Sequence, residues 1–150
     1  MKYILCELDD EDYAYPTFAV YDLHKAAFDE AIKDCLNVVN GEDFRMEVTH
    51  NRNRISVNFG CDKFFVTEIK ELNETKGDYA LVWHHAYNGV GFHVEFIGSY
   101  KECEAKRKEE IKKSFDERDL SGGDNSDFDI ETDNIVDTGE EWEVFSIVRI

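Results

Sequence analysis

The sequence is short of positively charged residues: it has 17 Lys and Arg against 34 Asp and Glu, which gives a net charge of −17. This shortage argues against direct binding to nucleic acid or to an anionic membrane surface, because both carry negative charge themselves. A negatively charged protein associates fastest with a basic surface. The charge balance therefore favours a basic protein as the partner.

The four cysteines, Cys6, Cys35, Cys61 and Cys103, lack the close spacing that zinc ribbons and redox motifs use, so we expect reduced thiols. No apolar run approaches the ~18 residues of a membrane span. The segment after Met1 reaches an acidic residue too early to hold a signal-peptide core. We therefore expect a bacterial cytoplasm or the cytoplasm of a host cell as the location.

Catalytic motifs are missing as well. A phosphate-binding glycine loop lies between a strand and a helix, whereas Gly89-Val90-Gly91 follows a hairpin signal. The cysteines have no flanking motif that would supply a base for nucleophilic catalysis. We expect a protein that is not an enzyme and that needs no cofactor.

Packing material is abundant, since 42% of the residues are hydrophobic and 13% are aromatic. A chain of 150 residues with this composition can bury a core. We predict one compact α+β domain over residues 1–150, with antiparallel sheets and two helices. Period-two alternation predicts the strands, at 3–8, 17–21, 44–49, 55–59, 64–69, 79–86, 90–97, 127–133, 135–138 and 142–150.

Helical periodicity predicts the two helices. Asp22 is placed to cap the first, which runs to about Val39, and the capping box Ser99-Tyr100-Lys101-Glu102 begins the second, which runs to about Phe115. The order hairpin, helix, meander then occurs twice, in halves 1–75 and 76–150. This order predicts a tandem duplication of a ββαβββ unit, and chance repetition of the elements is the alternative.

Histidines give the one candidate metal site. If Asn88-Gly89 closes a two-residue hairpin, His84 lies directly opposite His93, and Glu95 is their diagonal neighbour on the same face. Two imidazoles and a carboxylate within reach of one point are a possible ligand set for a metal-dependent enzyme. The alternative is a polar sheet face without metal, and a register shift of one residue would destroy the triad.

Acidic residues gather at the two ends of the chain: residues 1–40 carry nine acids and three bases, and residues 116–150 carry twelve acids and two bases. If 127–133 is a strand, its acids form one row with about 6.6 Å between neighbours, which imitates a charged nucleic-acid backbone. Solvation of an exposed strand is the alternative interpretation. The candidate partner-binding residues are Asp127, Asp129, Glu131, Asp133, Asp137, Glu140 and Glu141, together with Asp9, Asp10, Glu11 and Asp12.

These features favour a non-enzymatic inhibitor that engages a basic, nucleic-acid-handling protein such as a nuclease. Phage proteins that counter CRISPR or restriction nucleases are similarly small and acidic, and so are immunity proteins that neutralise basic toxins. We expect a monomer or a homodimer that binds neither nucleic acid nor a membrane directly. The metal-dependent enzyme and an immunity protein remain the alternatives.

Overall fold

The fold was analysed in a computed structural model, which describes residues 1–9, 16–39, 47–60, 63–73, 76–86 and 92–150. The chain divides into two compact units, Met1–Glu74 and Thr75–Ile150. The hairpin signal Asn88-Gly89, residues 44–46 at the start of a predicted strand, and the acids Asp10, Glu11 and Asp12 lie outside the described residues. The α+β class with antiparallel sheets and two helices is confirmed.

In the described part of the first unit, one antiparallel sheet contains five strands in the order β2-β1-β5-β4-β3. β1 lies inside the sheet, between β2 and β5, as its sequence predicts, because Ile4, Leu5, Cys6 and Leu8 supply buried side chains to both of its faces. The strand bounds are β1 Lys2–Asp9, β2 Thr17–Tyr21, β3 Glu47–Asn51, β4 Arg54–Gly60 and β5 Lys63–Leu72.

Helix α1 (His24–Val39) packs on one face of this sheet. Its buried residues are small and recur every four positions, at Ala27, Ala31 and Cys35, so that one narrow stripe meets Leu5 and Ile69. The carbonyl of Leu23 accepts the first helical hydrogen bond, from Ala27. This places the N-cap at Leu23, one residue after the predicted Asp22.

The second unit has a sheet in the order β7-β6-β9-β8, formed by β6 Tyr79–Ala86, β7 Phe92–Gly98, β8 Ile135–Asp137 and β9 Trp142–Arg149. Its pairing repeats that of the first unit, because the first strand lies between its hairpin partner and the last strand of the unit in both cases. The first unit adds β3 at the edge. The shared connectivity agrees with the order predicted for a duplicated unit, whereas common descent of the halves stays a prediction.

Helix α2 (Tyr100–Glu117) begins with the predicted capping box. The Ser99 hydroxyl accepts from the Glu102 amide at 3.3 Å, and the Glu102 carboxylate accepts from the Ser99 amide at 2.9 Å. These hydrogen bonds from Ser99 lower the pKa of Glu102. The helix buries one row of side chains, Cys103, Arg107, Ile111 and Ser114, against the sheet.

Within the described ranges, Cys6, Cys35 and Cys103 are buried free thiols, and Cys61 lies outside those ranges. Burial raises the pKa of Cys35 to about 11, which keeps this thiol protonated at neutral pH. In the same part of the chain, no helix is both long and apolar enough to cross a membrane.

Candidate functional site

The acidic segment after α2 is a series of turns, and its prediction as a strand at 127–133 is wrong. The amides of Thr132 and Asp133 both donate to the carbonyl of Asp129, at 3.1 and 2.7 Å, which closes the backbone into a turn. The straight row of carboxylates at 127, 129, 131 and 133 therefore does not form. The alternation has another cause, because Phe128 and Ile130 pack against the apolar cluster of Ile111 and Phe145.

Arg107 holds this segment to the helix. Its side chain is 1% exposed, and its guanidinium donates to the carbonyls of Ile130 at 2.7 Å and Asp133 at 2.8 Å. The same group pairs with Glu104 at 3.1 Å. A buried charge is stable only with hydrogen-bond partners, and the two backbone carbonyls supply them to the guanidinium. The same hydrogen bonds hold these loop residues against α2. We call residues 119–133 the acidic loop.

Aspartate side chains within the acidic loop stabilise its turns. Asp119 accepts from the amide of Ser121, Asp124 from that of Ser126, and Asp129 from that of Glu131. The hydrogen bonds from Ser121 and Ser126 lower the pKa of Asp119 and of Asp124, respectively. Aspartate is favoured at such positions because its side chain bonds the backbone two residues later. Part of the local acidity thus serves the turns, and the ionised carboxylates are held in fixed positions.

The acidic loop is also hydrogen-bonded to Asp137, the last residue of β8. The side chain of Asn125 donates to the Asp137 carbonyl at 2.7 Å and accepts from the Asp137 amide at 2.9 Å. The Asp137 carboxylate accepts from the amides of Asp124 and Gly139, and Gly139 has the positive φ of 85° that glycine tolerates best. Residues 119–133 and 137–141 therefore form one hydrogen-bonded body.

The candidate partner-binding residues differ in accessibility. Asp127, Asp129, Glu131 and Glu140 are exposed, and Asp133, Asp137 and Glu141 are half-buried. Asp9 is exposed in the first unit, whereas Asp10, Glu11 and Asp12 lie outside the described residues. The seven acids of the second unit belong to one hydrogen-bonded body but are spread along it, since Glu131 pairs with Lys108, and Glu141 pairs with Arg118, which is ten residues later than Lys108 in the chain.

The predicted hairpin register is wrong towards its tip. Leu81 pairs with Phe96 as predicted, but Val82 pairs with Val94, so that Glu95 is an extra residue in β7. Beyond this bulge Trp83 pairs with His93 and His84 with Phe92. His84 is buried on one face and His93 is exposed on the other, so these two do not face a common point with Glu95. Among the described residues, no group of three or more His, Cys, Asp or Glu side chains is arranged to hold a metal ion.

The bulge places Glu95 at a cavity of about 220 Å³ between the sheet and the C-terminal half of α2. Trp83 and Phe145, which pair across β6 and β9, form its sheet side, and Glu110 and Glu117 belong to its helix side. Such a volume is below the ~300–1,000 Å³ typical of pockets for drug-sized ligands. The cavity has room for a single side chain.

An ion pair between the buried Glu143 and the exposed Arg118 forms the polar end of this cavity. Glu143 is 1% exposed and accepts a hydrogen bond from the buried hydroxyl of Ser114. The Nε atom of Arg118 lies 2.5 Å from the Glu143 carboxylate, and the Arg118 side chain is 40% exposed. Arg118 therefore neutralises Glu143 and reaches from the cavity to solvent.

The first unit has a separate pair of carboxyl groups. Glu7 on β1 is half-buried and hydrogen-bonds with Asp34 of α1 beside a cavity of about 290 Å³. Burial, followed by the negative charge and the hydrogen bond of Asp34, raises the pKa of Glu7 to about 7. Glu7 therefore keeps its proton up to about neutral pH.

Comparison of the chain with protein-family models, with curated proteins and with solved structures finds no match in any of the three.

Sequence reasoning missed Arg107, Glu143 and the carboxyl pair. A signal for Arg107 was present, because it is the one charged residue in the row Cys103, Arg107, Ile111 and Ser114, which has helical spacing. Glu143 gave a similar signal as the single acid inside the apolar strand β9. Glu7 and Asp34 are far apart in sequence, so only the packing of α1 on β1 brings them together.

Proposed function

We propose that this protein binds a basic surface of a nucleic-acid-handling protein, such as a nuclease, and competes with nucleic acid for that surface. The observation that carries the proposal is the acidic loop with residues 137–141, a hydrogen-bonded body that displays exposed carboxylates. Residues 116–150 hold twelve acids and two bases. One of those bases, Arg118, pairs with Glu143 and with the half-buried Glu141, and Lys108 of α2 pairs with the exposed Glu131. Among the described residues, the exposed Asp127, Asp129 and Glu140 make no ion pair.

The hydrogen bonds that hold the acidic loop favour a role in partner binding in addition to solubility. Acids that serve only to keep a protein soluble need no fixed positions. In the acidic loop, hydrogen bonds of Arg107, Asn125 and Asp137 fix the backbone that carries the acids. Charges that are already in place lose little conformational entropy when a partner binds. A fixed negative surface also attracts a basic partner at long range and raises the association rate.

The carboxylates on the turns of the acidic loop would contact the nucleic-acid-binding groove of the partner. A nucleic-acid-binding groove presents Lys and Arg that ordinarily contact phosphates, and their affinity for any polyanion falls as the salt concentration rises. The same salt dependence is expected here. Regular spacing of the acids is not required for this form of competition.

The experiment is capture of partners from the native host by the immobilised protein, at about 50 and 500 mM salt, followed by competition with nucleic acid. In a test variant, Asp127→Lys and Glu140→Lys are combined, because both side chains are exposed. A matched control combines Glu71→Lys and Asp78→Lys, which change the net charge equally at exposed positions outside the acidic loop.

We expect the partner to be a basic protein, to elute at high salt and to lose bound nucleic acid when this protein is added. The test variant should bind it at least about tenfold more weakly, with little change in the control. Equal weakening by the control would show that only net charge matters and would contradict the assignment to the acidic loop. A partner that keeps its nucleic acid while bound would contradict competition and favour an immunity protein.

A further inference from the structure

The cavity at the end of α2 carries more negative than positive charge. Its lining includes four carboxylates, Glu95, Glu110, Glu117 and Glu143, and two cations, Lys113 and Arg118. Internal ion pairs occupy both cations, since Arg118 pairs with Glu143 and Lys113 with Glu110 at 2.9 Å. Two carboxylates, Glu95 and Glu117, are left over.

Glu95 and Glu117 are exposed, and within the described ranges neither makes an ion pair. The bulge in β7 holds Glu95, and Glu117 ends α2, so the two come from opposite walls. The C-terminus of a helix adds about half a negative charge; the last turn of α2 contains no base, and the C-cap residue Arg118 is paired with Glu143. The mouth of the cavity therefore favours a cation.

The sheet side of the cavity is aromatic. Trp83 lines it beside Phe145. The imidazole of His93 packs against the indole of Trp83, with 5.2 Å between the ring centroids. Tryptophan is the side chain that attracts cations most strongly over its ring. Carboxylates together with an indole suit a planar guanidinium, which stacks on the ring and donates in a fork to oxygen atoms.

We propose that this cavity binds one arginine side chain, with the guanidinium between Trp83 and the carboxylates of Glu95 and Glu117. The volume of about 220 Å³ agrees with one side chain as the occupant. The step from an arginine to a partner protein rests on the proposed function, since a basic protein would present that residue beside the acidic loop. The cavity would then select among basic surfaces by position, which long-range charge alone does not do.

The test uses N-acetyl-arginine methylamide as the probe and the citrulline analogue as its neutral control of nearly the same shape. Two-dimensional NMR of the whole protein gives separate indole signals for Trp83 and Trp142. On β9, Trp142 alternates with Glu143 and so lies on the face away from the cavity. We expect the arginine compound to shift the Trp83 indole signal with a measurable Kd, and the citrulline compound to leave it in place.

Variants then locate the site. Glu95→Gln and Glu117→Gln should each weaken binding of the arginine compound by about two- to fivefold, as expected for an exposed ion pair. Asp78→Asn is the matched control, because it removes the same charge from an exposed position of the second unit outside both the cavity and the acidic loop. Equal shifts with the citrulline compound, or equal weakening by the control, would overturn the proposal.

The same variants separate this inference from the proposed function. Partner capture that is lost in the Asp127→Lys and Glu140→Lys variant but unchanged by Glu95→Gln with Glu117→Gln would overturn the use of the cavity and leave the proposed function standing. Binding of the arginine compound with no basic partner captured from the host would contradict the proposed function and leave the arginine site standing.

Discussion

Replacing Arg107 tests whether a buried guanidinium holds the acidic loop. In an Arg107→Met variant the apolar part of the side chain is kept, and the donors to the carbonyls of Ile130 and Asp133 are lost. Those carbonyls lie at a partly buried site, where water replaces the lost donors incompletely. The loop should become less stable and so should the second unit.

The magnitude follows from the two hydrogen bonds, at 2.8 and 2.7 Å. A hydrogen bond to a charged group contributes roughly 1.5–3 kcal/mol, so the two together contribute roughly 3–6 kcal/mol. Methionine avoids the cost of burying a charge, which offsets part of this loss. We expect the free energy of unfolding of the second unit to fall by about 3 kcal/mol.

Urea denaturation followed by tryptophan fluorescence measures this change, because both tryptophans, Trp83 and Trp142, lie in the second unit. With a urea dependence of about 2 kcal/mol/M, the midpoint should fall by about 1.5 M. Hydrogen exchange at the amides of Thr132 and Asp133, which donate to Asp129, should accelerate in the same variant.

The control is Lys108→Met, which removes the same charge from the next residue of the helix. Lys108 pairs with Glu131 at 2.5 Å, but the two side chains are 30% and 65% exposed. An exposed pair contributes at most about 1 kcal/mol, so this variant should remain close to the parent. A loss below about 1 kcal/mol for Arg107→Met, or an equal loss for both variants, would refute the anchoring role.

Three further predictions concern other elements. Between pH 4.5, the ordinary pKa of Glu7, and the raised value of about 7, the native state holds a proton that the unfolded state has lost. The free energy of unfolding should therefore fall as the pH rises through this range. In a Glu7→Gln variant this fall should be smaller by about 1–2 kcal/mol, a value reduced because Glu7 is half-exposed. Carbon NMR of the Glu7 carboxyl measures the midpoint of its titration directly, and a value near 4.5 would contradict the raised pKa. Ser99→Ala should cost about 1 kcal/mol in urea denaturation through loss of the capping box, while Ser99→Thr retains most of it, and equal losses would be inconsistent with a capping role. A chain that ends after Val144 loses Phe145 from the core and most of the β6–β9 pairing, so tryptophan fluorescence should show no cooperative transition, in contrast to the parent.

The sequence predicted most of the strands and both helices because their hydrophobic periods match their burial. β2 at Thr17–Tyr21 and β6 at Tyr79–Ala86 have the predicted bounds, and the Ser99 capping box begins α2 as predicted. Short-range rules suffice for these elements, since period-two alternation and capping depend on neighbours within a few residues. The acidic clusters were equally visible, because charge can be counted in any segment.

Tertiary packing decided the rest. Phe128 and Ile130 alternate with acids as in a strand, yet contacts with α2 and the donors of Arg107 stabilise turns there. One extra residue, Glu95, moved His93 away from His84 and towards the cavity beside Trp83, which no count along the sequence reveals. The sequence by itself determined which segments are apolar, acidic or helical. Only the folded chain decided which carboxylates form turns, pair in the interior or stay exposed, because those arrangements depend on donors from residues distant in sequence.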